Sequence, residues 1–148
     1  MPSSGDRVNA GPGAAGAPTV RVIEIDRWGR FLVAEEADGR WRLPASPVGD
    51  GESPDLAAVR AFEALTGEVL DGLMLYRAAR SGETPWAPGA TAHVYYFDAD
   101  LDPAILGDGM RAFHRVAPGD VEAAPLDEQD RSLLAEFAAG THYRAMFH

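Results

Sequence analysis

Ser53-Pro54-Asp55 leaves the backbone one choice. A serine side chain accepts from the free N–H groups of a first helical turn, and the fixed φ of proline suits the first helical position. An acid there complements the positive end of the helix. Apolar Leu56, Ala57, Val59, Phe62 and Leu65 follow at helical spacing, and Gly67 supplies the left-handed residue on which helices end. The pattern predicts a helix over Pro54–Thr66.

On both sides of this helix the chain turns to short β-branched and aromatic runs. Val20 and Val22 precede the turn Asp26-Arg27-Trp28-Gly29, and Phe31 and Val33 follow it, which reads as a hairpin. Ala37-Asp38-Gly39 is a second turn, leading into the short strand Trp41-Arg42-Leu43 that Pro44 ends. Residues 45–52 read as a loop, residues 73–79 and 91–98 as strands, and the Gly- and Pro-bearing segment 80–90 as a loop between them. After the turn Gly107-Asp108-Gly109 come a strand over 110–116, a helical turn within 118–123, and a helix over 126–139 stopped by Gly140. Strands, helix, strands, helix implies an α/β protein in which helices cover a mixed sheet. The 148 residues suffice for one core. Residues 1–18, rich in Gly, Pro, Ala and Ser, are expected to form a flexible leader, and residues 19–148 a single domain.

Composition removes whole classes of function. Without cysteine there is no disulfide, thiolate nucleophile, cysteine-held zinc or iron–sulfur cluster. A net charge of −10 opposes nonspecific nucleic-acid binding and docking on an anionic membrane. No run is apolar for long enough to span a bilayer, and no secretion signal opens the chain, so a cytoplasmic location is expected. The histidines His93, His114, His142 and His148 have no metal-ligand spacing, and no serine has the context of a nucleophile elbow.

Trp41-Arg42-Leu43-Pro44, Gly51-Glu52, Ala57-Ala58-Val59-Arg60 and Gly67 resemble a Nudix box. The family pattern is Gly, five residues, Glu, seven residues, Arg-Glu, an aliphatic, any residue, Glu-Glu, any residue, Gly. Seven residues separate Glu52 from Arg60, and Gly67 takes the place of the closing glycine. The resemblance to the Nudix hydrolase superfamily extends over residues 19–140. It implies an α/β/α sandwich with a mixed sheet and a central loop–helix–loop. It also implies hydrolysis of a nucleoside diphosphate linked to another moiety, with Mg²⁺ or Mn²⁺ held by glutamates of the helix, and often a homodimer.

The glutamate positions are where this chain departs. Ala61, Ala64 and Leu65 occupy them, at i, i+3 and i+4 on one helix face, and none offers the oxygen a hard cation requires. Ala45-Ser46 stands where the family often has two glycines, and Gly49 where it often has an acid. Glu63 and Asp55 point off that face. Two readings follow. In the first, the chain is a Nudix-fold protein without the standard metal centre, which binds a nucleotide or other diphosphate-containing ligand or serves as an interaction module. In the second, it is a divergent hydrolase whose metal is held by Asp50, Glu52 and Asp108, with Glu52 and Arg60 as catalytic candidates. The favoured reading of Glu52 and Arg60 is a structural pair tethering loop to helix. Arg42, Arg77 and Arg111 are candidates for a phosphate groove, because guanidinium forks match phosphate oxygens. Trp86, in the proline-bearing loop, is the candidate for stacking on a ligand, while Trp28 and Trp41 are expected to pack in the core or at an edge. Solvated surface is the default expectation for the other arginines, Arg21 and Arg115 among them.

Overall fold

A strand has two edges, and β1 (Thr19–Glu24) gives both away. It pairs antiparallel with β4 (Ala45–Pro47) on one side and parallel with β6 (Ala92–Phe97) on the other, from Thr19 opposite Ala92 to Glu24 opposite Phe97. Antiparallel β5 (Met74–Ala79) completes a mixed four-stranded sheet of order β4-β1-β6-β5. A second, antiparallel sheet holds β3 (Trp41–Arg42), β2 (Phe31–Glu35) and β7 (Phe113–Val116), in the order β3-β2-β7. The helices are α1 (Pro54–Thr66), α2 (Glu128–Ala139) and α3 (Thr141–Met146), with short 3₁₀ turns at Pro103–Ile105 and Pro118–Asp120. This architecture comes from a computed structural model that describes residues 16–147; residues 1–15 of the expected leader lie outside the described residues. Among the described residues no helix is long and apolar enough to cross a membrane.

Period-two alternation on β1 and β6 buries the larger sheet on both faces. Val20, Val22, Tyr95 and Phe97 point to one side and pack on Ala57, Ala58, Ala61 and Phe62 of α1. Phe62 meets Phe97 edge to face at 5.3 Å between ring centroids. Ile23, Ile25, Val94 and Tyr96 point to the other side, against Phe31 and Val33 of the second sheet and Leu133, Leu134 and Phe137 of α2. The result is the mixed sheet covered by helices that the residue pattern implies, in the α/β/α sandwich that the resemblance implies.

The α1 signals hold atom by atom. Ser53 accepts from the Leu56 N–H at 3.3 Å, and Gly67, at φ 82°, donates its N–H to Glu63 O at 2.8 Å. Four expectations need correcting. The turn after β1 is real, with Asp26 Oδ1 accepting from the N–H groups of Trp28 and Arg30 at 3.0 and 2.9 Å. The strands it joins part into different sheets, however, with one ladder bridge between them among the described residues, Ile25–Phe31, because both edges of β1 are already taken. The expected loop 45–52 begins with β4, whose register on β1 runs from Ala45 opposite Arg21 to Pro47 opposite Thr19. The last strand starts at Phe113 rather than near Met110, which is exposed. Finally, α3 is an additional helix, locked by the Tyr143 hydroxyl, which donates to Gly29 O at 2.8 Å. Gly29 sits at φ 79°, and a Cβ there would strike the Tyr143 hydroxyl.

Two substitutions calibrate these contributions in urea unfolding. Ser53→Ala removes one cap bond and is expected to cost about 1 kcal/mol. Phe62→Ala opens a cavity between α1 and the sheet and is expected to cost about 3–5 kcal/mol.

Candidate functional site

The loop before α1 is stapled to the helix by one arginine. Arg60 donates from Nε to Glu52 Oε2 and from Nη2 to Glu52 Oε1, both at 2.9 Å. The same guanidinium reaches Ser46 Oγ at 3.1 Å and Pro47 O at 2.9 Å, so it also ties α1 to β4. Glu52 Oε1 accepts a further 2.8 Å bond from the Gly49 N–H. The Arg60 bonds first, then that N–H, hold the Glu52 carboxyl down at about 2, so it stays ionised and is a poor proton acceptor at neutral pH. This geometry is the tether; a Cβ at Gly49 would stand 3.2 Å from Glu52 Oε1, so the carboxylate would have to give by a few tenths of an ångström.

The donor set of α1 does not fit a divalent ion. Ala61 is 4% exposed and packed in the core, Ala64 is exposed and Leu65 half-buried, and none carries a side-chain oxygen. Among the described residues no three His, Cys, Asp or Glu side chains gather closely enough to hold a metal. Asp50 is exposed on the loop before α1. Asp108 lies in a hollow of about 390 Å³ with Ala64, Leu65, Gly67 and Arg111, and its Oδ1 accepts from the Met110 N–H at 2.9 Å. The structure therefore does not bring Asp50, Glu52 and Asp108 together as one such group.

The three candidate phosphate arginines are each committed elsewhere. Arg42 pairs with Asp38 at 2.9 Å, Arg77 with Glu136 at 3.0 Å, and Arg111 with Glu36 at 2.7 Å. Of the three, Arg111 is the one that lines a hollow, beside Asp108. Trp86 is 1% exposed and belongs to the core, which removes the free face a stacking residue needs. Its Nε1 donates to Glu136 Oε1 at 3.1 Å while Arg77 covers its ring at 5.5 Å. Burial alone would raise the Glu136 carboxyl, but bonds from Tyr76, Trp86 and Arg77 outweigh it and hold it below the usual range. Trp28, expected to pack, is instead 66% exposed, flanked by Arg27 and Arg30. Trp41 does pack, stacked on His114 at 4.0 Å between centroids.

A cleft of about 380 Å³ opens where β1, β4, the loop before β6 and the start of α2 converge. Its walls include Val20, Arg21, Ser46, Ala87, Gly89 and Gln129. That volume lies within the range of about 300–1,000 Å³ usual for small-molecule sites. Arg21 organises it. Nη1 donates to Trp86 O at 2.9 Å, Nη2 to Gln129 Oε1 at 2.8 Å, and Nε lies 2.7 Å from Asp130 Oδ1. Asp130 Oδ2 in turn accepts from the Leu43 N–H at 3.1 Å. Burial pushes the Asp130 carboxyl up to about 6, against the opposing pull of Arg21 and the Leu43 N–H. Residue patterning does not reveal this cleft. Arg21 stands in a strand as one charge among many, and no local signal separates it from surface arginines; neither Gln129 nor Asp130 belongs to a motif.

No protein-family model and no curated protein sequence matches the chain. Solved structures do. A MutT from work on the fish pathogen Aliivibrio salmonicida and on Vibrio cholerae superposes at a TM-score of 0.65 and 15% identity, over 84% of this chain and 98% of that one. The Nudix domain of Shewanella oneidensis NrtR, solved with ADP-ribose, superposes at 0.63 and 16% identity, over 83% and 86%. A Nudix hydrolase family member from Chromobacterium violaceum gives 0.64 and 20%, over 88% and 85%. The chain has the Nudix fold. At these identities the likeness extends to the fold and no further.

Two variants test the site as described. Ala61→Glu forces an unpartnered carboxylate into the core, whereas Ala64→Glu lies at the surface. Urea unfolding is expected to show a loss of about 2 kcal/mol or more for the first and within about 0.5 for the second. Asp130→Asn puts an NH₂ in place of one of the oxygens that face Arg21 and the Leu43 N–H, and is expected to cost about 1–3 kcal/mol. Because the folded pKa of Asp130 is raised from 3.8 to about 6, the native state binds more protons than the unfolded chain between those values. The stability this group contributes thus falls as pH rises through that window. Asp130→Asn lacks that slope, so its deficit should be larger at pH 4 than at pH 7; a deficit that grows with pH would mean that Arg21 outweighs burial.

Proposed function

We propose that this protein binds a nucleoside-diphosphate-type ligand in the cleft organised by Arg21, without the glutamate-held metal centre used for Nudix hydrolysis. The observation that carries the reading is a contrast between the cleft and the α1 face, which share no lining residue. The cleft wall retains fixed polar groups from Arg21, Ser46 and Gln129, while the α1 face presents Ala61, Ala64 and Leu65. Arg60 borders the cleft through its 3.1 Å bond to Ser46 Oγ. The ADP-ribose bound by the Nudix domain of NrtR supports a nucleotide as the ligand type. Losing a metal that activates water and neutralises phosphate oxygens forfeits several kcal/mol of barrier lowering, so the reading is a binding protein with little or no turnover.

The divergent-hydrolase reading keeps one observation in its favour, the retained spacing of Glu52, Arg60 and Gly67. Calorimetry and thermal shift with ADP-ribose, ADP, UDP and sugar nucleotides, each with and without Mg²⁺ or Mn²⁺, separate the two, with phosphate release measured in parallel. The expected outcome is binding of at least one nucleotide, a shift in melting temperature unaffected by chelator, and no metal-dependent release. Chelator-sensitive turnover that Glu52→Gln or Asp108→Asn lowers at least tenfold would establish the hydrolase instead.

A further inference from the structure

Among the described residues the two sheets present four edge strands, and three of them are blunted. β3 is two residues long, β4 is three and ends on Pro47, and β7 is four. β5, with six residues and no proline, is the longest open edge, and among the described residues it pairs with β6 alone. The side chains it exposes at its start are apolar. Met74 is 44% exposed and Leu75 54%, and Val69 just before the strand is 69% exposed. Met74 stands opposite Tyr96 and Leu75 opposite Tyr95. Tyr96 belongs to the layer packed on α2 and Tyr95 to the layer packed on α1, so these two residues carry both apolar layers past the edge of the sheet. A partner docked on one face would cover one of them. A partner that continues the sheet covers both.

Charge selects the strand that fits. Segment 68–80 has acids at its start, Glu68 and Asp71, and bases at its end, Arg77 and Arg80. It is neutral within a chain of net charge −10, so two copies meet here without the repulsion that such a charge brings elsewhere. Antiparallel pairing about a twofold axis lays the acidic end of each copy beside the basic end of the other, with Met74 and Leu75 between. Parallel pairing would set like charges side by side. We propose that β5 is a self-association edge, at which two copies of this chain pair antiparallel and join their four-stranded sheets into one. The contact centres on Met74 and Leu75, because the irregularity between Leu75 and Arg77 bends the strand beyond them. So short a ladder makes a small interface and a weak dimer. The assignment is independent of nucleotide binding, since none of these residues lines the cleft.

Sedimentation equilibrium on the full chain, with amide exchange in parallel, tests the assignment. The wild type is expected to be half dimeric at about 100 μM, as suits an interface of this size. Exchange over Met74–Ala79 should slow as concentration rises through that value. Leu75→Arg sets two charges against each other at the centre and should weaken association at least tenfold. Asp71→Arg and Arg80→Glu each place like charges beside one another across the axis and should weaken it about threefold, while the double variant regains wild-type association. Leu75, Asp71 and Arg80 are all exposed, so the melting temperature of the dilute variants should stay within about 2 °C of the wild type. A monomer up to about 500 μM, where even weak interfaces assemble, would overturn the proposal. So would association that Leu75→Arg leaves unchanged, association without slowed exchange in β5, or a double variant no tighter than the single ones.

Discussion

Arg21 places a permanent positive charge between a sheet and a helix, at 13% side-chain exposure, and every part of the cleft answers to it. A guanidinium never deprotonates and offers only donors, so a buried one requires acceptors on all sides. Three come from two distant parts of the chain: the carbonyl of Trp86 in the loop before β6, and the amide oxygen of Gln129 and the carboxylate of Asp130, neighbours on α2. Asp130 passes the constraint on to the second sheet through the Leu43 N–H. The cleft is thus a by-product of satisfying one charge. Its walls are held by bonds they need in any case, which leaves the site pre-organised before a ligand arrives.

A second buried arginine acts in the same way at the other end of β1. Arg115, at 5% side-chain exposure on β7, pairs with Glu24 and donates to Leu101 O at 2.6 Å and Arg30 O at 3.2 Å. Burial raises the Glu24 carboxyl while Arg115 opposes it. Residue type alone assigns both arginines to solvated surface, yet both are interior cross-links between layers. Charged residues are seldom fully buried without partners, and here the partners include Trp86, 65 residues from Arg21, and Glu24, 91 residues from Arg115.

In the α1 segment the residues that match the Nudix spacing have structural roles. Arg60 binds Glu52, Ser46 and Pro47, and Gly67 ends the helix at a positive φ. The positions that would carry metal ligands have no such structural role, and at least one has been absorbed into packing. Ala61 lies against the sheet at 4% exposure, so restoring a carboxylate there means rebuilding the core around it.

The residues by themselves determined a good deal. The cap and stop of α1, the alternation on β1 and β6, and the spacing from Glu52 to Gly67 are local signals, and each specifies its element within a few residues. The chemistry absent from Ala61, Ala64 and Leu65 is equally local, because a side chain without oxygen ligates no hard cation wherever it is placed. What only the tertiary structure decided is anything made by pairing distant segments. The parting of β1 and β2 into two sheets depends on which edges β4 and β6 claim. The burial of Trp86, against its loop setting, depends on Glu136 and Arg77 closing around it. The cleft exists only where Arg21 finds Gln129, 108 residues on in the chain. Local propensity acts over a turn or a strand; the satisfaction of a buried charge is settled across the whole chain.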